Sequence, residues 1–106
     1  MLTNDQWSTI QRLVGWLDDQ NGRQDAEIGL RILKLAEEVG EVAQAWIGVQ
    51  GQNPRKGASH TIVDVQDELC DVIVTAAVAL ASITGKPEYV LAEKLTKIEA
   101  RSLAVI

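Results

Sequence analysis

The stretch IGLRILKLAEEVGEVAQAW, residues 28–46, decides how this chain is read. Ile28, Ile32, Leu35, Val39, Val42 and Trp46 recur at alternating spacings of four and three, the pattern of a helix that packs against neighbouring helices. Inside that run, Lys34 to Ala43 (KLAEEVGEVA) carries Glu37, Glu38 and Glu41. Carboxylates enter a packed helix only where something compensates them.

Working outward, the helix is predicted over 26–49 and ends in GVQGQNPRKGAS, a loop rich in glycine. Before it, Thr3 and Gln6 have the spacing of a capping box, Trp7, Ile10, Val14 and Leu17 follow at helical period, and Gly22 is a stop signal. After it, a third helix is predicted over 61–84, closed by Gly85. Its first half is acidic (Asp64, Asp67, Glu68, Asp71); its second half is apolar all round, which predicts burial on every side and a subunit contact. A fourth helix starts at Pro87, a favoured first position, and runs to about Leu103, with Leu91, Leu95, Ile98 and Ser102 as its inner face. The reading is all-α: one domain over 1–106, a four-helix bundle completed by oligomerisation.

Composition narrows the function. The chain has 106 residues and a net charge of −5, against general binding to duplex nucleic acid. Its single cysteine leaves no internal disulfide and suits a reducing cytoplasm, where the protein is expected. The longest apolar run, 72–83, is far shorter than the ~20 residues of a bilayer span, so no membrane partner is expected. Cys70 lacks a histidine partner and reads as a small core residue, His60 reads as a loop residue, and Asn53 before Pro54 reads as a turn residue.

The two acidic segments are predicted to meet. Helices two and three, joined by a short loop, should pack antiparallel. Glu41 lies about seven residues before the loop and Glu68 about seven into the next helix, so at ~1.5 Å per residue both sit ~10 Å from the turn. Glu38 and Glu41 share one helix face, and Glu68 and Asp71 another. A single such pair would be read as a solvated face; two pairs, level across a hairpin, place four carboxylates in one small volume. Their repulsion is relieved by a hard divalent cation, Mg²⁺ or Mn²⁺, held by oxygen ligands.

EEVGE (Glu37, Glu38, Glu41) followed by ELCD (Glu68, Asp71), with residues 42–67 between, resembles the EExxE…ExxD pattern of the MazG-like nucleotide pyrophosphohydrolases of the all-α NTP pyrophosphatase superfamily. The resemblance runs from about Leu30 to Arg101. It implies a helical core built from two or more subunits, here a homodimer or homotetramer, and Mg²⁺-dependent hydrolysis of a nucleoside triphosphate to monophosphate and pyrophosphate. Glu38, Glu41, Glu68 and Asp71 fall on the metal-binding positions, and Glu37 on an additional, less constant acidic one. Glu38 is the first candidate for the carboxylate that activates water, and Glu37 the second. The expected role is housecleaning of non-standard or excess nucleotides. The alternatives are a phosphoribosyl-ATP pyrophosphohydrolase-like biosynthetic enzyme and a non-catalytic nucleotide-sensing helical module.

Cationic partners for the phosphates are Lys34, which equally forms an i,i+4 ion pair with Glu38, and Arg55 and Lys56 in the loop. On the fourth helix Lys94, Lys97 and Arg101 form a basic stripe, and the resemblance picks out Lys94 and Arg101 as phosphate-gripping residues. Trp16 points away from the first helix's apolar stripe, so it serves a subunit interface or stacks on a base; Trp46 lies on the core stripe and reads as packing.

Overall fold

Each helix begins and ends where its backbone can be satisfied. In the computed structural model, which describes residues 2–103, these are α1 (Asn4–Asn21), α2 (Asp25–Gln50), α3 (Ile62–Ile83) and α4 (Pro87–Leu103). There is no strand among the described residues, so the chain is all-α. Thr3 and Gln6 form the expected reciprocal cap of α1, with Gln6 N–H donating to Thr3 Oγ1 over 3.1 Å and Thr3 N–H to Gln6 Oε1 over 2.8 Å. Thr61 and Asp64 cap α3 in the same way. Gly51, at φ 61°, ends α2 in the left-handed region that only glycine enters freely, and its N–H reaches the carbonyls of Gly48 and Ile47. The end of α3 differs from expectation: Thr84, in extended backbone, caps it by donating its N–H to the Leu80 carbonyl, and Gly85 follows outside.

α2 and α3 form a long antiparallel hairpin. The register is visible at three levels: Gly48 against Ser59 beside the turn, Glu41 against Glu68, and Arg31 against Ser82 at the open end. α1 lies on α3, where Trp7, Ile10 and Val14 pack on Ala77 and Ala81, with Leu2, Val78 and Leu91 at the edge. α4 leaves α3 with a bend of 115°; Pro87 is buried and Leu91 half-buried, but residues 92–103 are exposed throughout. No single helix among the described residues is long and apolar enough to cross a bilayer.

Three apolar faces that the sequence expects to be covered are left bare within a single chain. α2 turns Arg31, Glu38, Ala45 and Gly48 inward, and its apolar stripe, roughly 100° round the helix, is only half-covered at Ile28, Leu35 and Val42 and exposed at Ile32, Val39 and Trp46. Trp46, expected as packing, is 51% exposed. The apolar half of α3 buries its small residues Ala77, Ala79, Ala81 and Ser82, while Ile73, Val74 and Ile83 remain exposed. On α4, Leu95, Ile98 and Ser102 likewise face no cover. The radius of gyration is 17.0 Å, against ~13 Å for a compact domain of about this length.

The open end of the hairpin is held by a charged cluster that sequence periodicity does not display. Arg31, 5% exposed, donates Nε to Glu27 over 2.7 Å, Nη1 to Asp18 and Ser82 Oγ over 3.0 Å each, and Nη2 to the Gly22 carbonyl over 3.0 Å. Arg23 adds a 2.7 Å bond to Asp18 and another to the Ser82 carbonyl. The cluster therefore ties the end of α1 to α2 and to the end of α3. Burial works against both charged forms. The two arginines nevertheless hold the Asp18 carboxyl below its ordinary value, and Glu27 and Asp18 hold Arg31 above its own.

Replacing Arg31 by Met should destabilise the protein by about 3 kcal/mol, because Glu27 loses its cation and Asp18 is left with Arg23 alone; chemical denaturation measures it. A lowered carboxyl stabilises the fold above its unfolded pKa of about 4, and that contribution is lost as pH falls through the lowered value. Asp18→Asn should therefore destabilise at neutral pH and flatten the acid limb of the stability curve, read from melting temperatures across pH.

Candidate metal centre

The register that sets Glu41 opposite Glu68 also assembles the carboxylates. Glu38 and Glu41 are one turn apart on α2, as are Glu68 and Asp71 on α3. One carboxylate oxygen from each of the four lies within 4.8 Å of every other. The predicted quartet is thus brought together, graded from buried Glu38 (8% exposed), through half-buried Glu41 and Glu68, to exposed Asp71.

The electrostatics are unbalanced. Among the described residues the quartet has one cationic partner, Lys34, whose Nζ lies 3.4 Å from Glu38 Oε1 and 3.9 Å from Glu37 Oε2. Glu38 Oε2 and Glu68 Oε2 are buried and accept no hydrogen bond. The Glu41 carboxyl is pushed above its ordinary value, first by hydrogen-bonding contact with Glu68, then by the charge of Glu38 and by burial. Carboxylates cannot donate to one another without holding a proton. Two buried acceptor oxygens with no donor, in residues whose carboxylates converge, fit a cation better than a solvated helix face does. The oxygen-only donor set suits Mg²⁺ or Mn²⁺ rather than a softer metal. Glu37 stands outside the quartet on an exposed surface, paired only with Lys34.

Beside the quartet, toward the start of α2, is an apolar cleft of about 200 Å³ between Leu13, Trp16 and Leu17 of α1, Val74 and Val78 of α3, and Lys34. Trp16 is 59% exposed at this cleft. On the other side, at the turn, Lys56 lines a polar cavity, while Arg55 is exposed and its N–H bonds Asn53 Oδ1 in the expected Asx turn. Lys94 and Arg101 stand on the exposed length of α4 and are not brought to the quartet of their own chain. Cys70, expected in the core, is exposed, because the inward face of α3 at this level belongs to Glu68 and Asp71. His60 is a loop residue as read, with Nδ1 2.9 Å from Ser59 Oγ. Sequence reasoning missed Arg31; its spacing of four from Glu27 was the available signal.

Compared with family models, with curated proteins and with solved structures, the chain matches none.

A carboxyl whose pKa is raised stabilises the fold while protonated, and that contribution is lost as pH rises through the raised value. In EDTA, Glu41→Gln should therefore melt above the wild type at about pH 8, with the gap closing toward about pH 4. Mg²⁺ should raise the wild-type melting temperature and leave Glu41→Gln much less affected. Differential scanning calorimetry reads both, and a Glu41→Gln variant melting at or below wild type in EDTA at the higher pH contradicts the repulsion.

Proposed function

We propose that this chain is an Mg²⁺-dependent nucleoside triphosphate pyrophosphohydrolase of the MazG-like kind, acting in housecleaning of non-standard or excess nucleotides. The observation that carries it is the quartet: four carboxylate oxygens within 4.8 Å, two of the residues presenting buried, unpartnered oxygens. A structural scaffold gains nothing from that arrangement.

Glu38, Glu41, Glu68 and Asp71 would hold the metal. Bound there, Mg²⁺ reverses the sign of the site toward polyphosphate and offsets charge on the phosphate oxygens. The rest falls to the chain. Glu38, whose Oε1 lies beside Lys34, would share its Oε2 between the metal and a water that it orients and deprotonates. The water oxygen bonds to the α-phosphorus as the bond from that phosphorus to the bridging oxygen breaks, and pyrophosphate leaves with that oxygen. The Trp16 cleft, walled by aliphatic side chains, suits the flat face of a base.

The protein acts as a homodimer or homotetramer. In support, Trp46, Ile32 and Val39 on α2, Ile73 and Ile83 on α3 and Leu95 on α4 are apolar and exposed, far more than a monomer of this size leaves bare. In such an assembly α4 lies against a second copy, and its Lys94 and Arg101 serve that copy's phosphates.

Glu38→Gln should lower kcat by ~10²–10⁴-fold with the helical circular dichroism unchanged, and Trp16→Ala should raise KM roughly tenfold with a smaller change in kcat. A panel of standard and modified nucleotides with Mg²⁺, followed by pyrophosphate release, is the assay. Metal-dependent binding without turnover on any of them would favour a sensing module, and turnover confined to phosphoribosyl-ATP a biosynthetic enzyme. Sedimentation equilibrium should return at least twice the 11.6 kDa chain mass, and a monomer at micromolar concentration removes the assembly.

A further inference from the structure

The face that α2 turns toward α3 reads Arg31, Lys34, Glu38, Glu41, Ala45, Gly48, a single ladder at spacings of three and four. The carboxylates occupy its middle. Its two ends are chemically opposite. At one end is the carbon-walled cleft of Trp16. At the other, beside the turn, is a cavity of about 300 Å³ lined by Gln44, Gly48, Asn53, Lys56, Ser59 and His60, among others. None of its lining residues is a carboxylate, although the chain carries 15 of them. It offers amide, hydroxyl and imidazole groups and one ammonium.

We propose that this turn cavity is an oxyanion subsite that takes the two outer phosphates of the substrate, and the pyrophosphate product, on Lys56. The proposal rests on the hydrolase reading for its substrate, and it fixes the direction in which that substrate lies: base on Trp16, α-phosphate at the carboxylates, outer phosphates at the turn. Charge availability separates the two lysines of the ladder region. Lys34 is engaged by Glu37 and Glu38. No ion pair among the described residues engages Lys56. Gln44, at the cavity rim, stands three residues past Glu41, ~5 Å along the helix, the scale of a phosphoanhydride chain.

The cavity is built by backbone rather than left by a loose loop. Ser59 N–H donates to the Gly48 carbonyl over 3.0 Å, and the N–H groups of Lys56 and Gly57 donate to the Asn53 carbonyl over 3.1 and 2.9 Å. The His60 ring sits directly on Gly48, where a β-carbon would collide with the ring and with the Ser59 hydroxyl. Glycine at 48 is therefore what lets the wall of the cavity close onto α2.

The test is calorimetric titration of the full-length protein with pyrophosphate at saturating Mg²⁺, and separately with Mg²⁺ alone. Lys56→Gln should weaken pyrophosphate by about tenfold or more, the size of one charge-assisted contact, with Mg²⁺ affinity within about twofold of wild type. Lys56→Arg should restore most of the loss, Gly48→Ala should weaken pyrophosphate by displacing His60, and Lys86→Ala, exposed near the start of α4, should change nothing. The proposal is overturned if the wild type binds no pyrophosphate, if Lys56→Gln retains it within about twofold, or if Mg²⁺ affinity falls in parallel. Turnover of the wild type separates the two readings. Lys56-dependent pyrophosphate binding without turnover leaves the subsite standing and removes the hydrolase. Turnover with Lys56-independent pyrophosphate binding does the reverse.

Discussion

The structure is governed by repulsion between carboxylates that face one another across the seam of α2 and α3. At separations of a few ångströms, and with partial burial, like charges oppose each other by several kcal/mol, more than most single packing contacts contribute. Lys34 offsets part of this at Glu38, and the remainder shows in the Glu41 carboxyl, pushed above its ordinary value by Glu68, Glu38 and burial. The seam tolerates the remainder because its other members are small. Ala45 and Gly48 on α2 and Ala79 on α3 are buried and small, whereas Ala77 and Ala81 pack under α1. The same choice has a price elsewhere: a helix that spends its inner face on charged and small residues must carry its large apolar residues to one side, where this chain does not cover them.

A second buried charged cluster sits one end along the same seam and is built on opposite terms. Arg31 has every nitrogen engaged, Asp18 and Glu27 each have a cation, and the neighbouring carbonyls of Gly22 and Ser82 are used. Nothing in it asks for a ligand. The quartet has four acids, one cation and two buried oxygens without donors. Both are charged, both are inside, and both join α2 to α3. The difference is whether hydrogen-bonding capacity is closed within the protein, and that separates a structural cluster from a binding one.

What the sequence displayed follows from the same physics. Caps are local, so Thr3 with Gln6, Thr61 with Asp64, and Pro87 could be placed without knowing the fold. The quartet was legible because helical spacing and a short connection together fix which turns of a hairpin are level. The inward face of α2 was not, because hydrophobic periodicity finds the face that wants burial, and the face that touches the nearest helix can be another one. The exposed Trp46 is a consequence of that rotation. Arg31 was hidden for a different reason: three of its partners lie outside α2, in Asp18, Gly22 and Ser82, and no local pattern announces them. The basic stripe of α4 was correctly placed on a helix, but a sequence gives no bend, and 115° carries it off the hairpin.

The division of labour along the α2 ladder bears on selectivity. The carboxylates would act on phosphates, which every nucleotide shares, so they cannot choose among bases. Choice falls to the Trp16 cleft. Its walls are Leu13, Leu17, Val74 and Val78, and its one guanidinium, Arg31, has all three nitrogens directed at Glu27, Asp18, Ser82 and Gly22. A pocket of that kind discriminates by size and stacking, worth about 1–3 kcal/mol for a missing or added small group, whereas rejection by orders of magnitude needs buried polar groups that the wrong ligand leaves unpaired. Beyond Arg31, the polar groups among its lining side chains are the Thr75 hydroxyl, the Trp16 indole N–H and the Lys34 ammonium. Under the proposed function, the cleft of a single chain would fit a class of bases rather than one base, as the proposed housecleaning role requires, and in the proposed assembly any sharper selection would come from groups that a second copy brings to its open side.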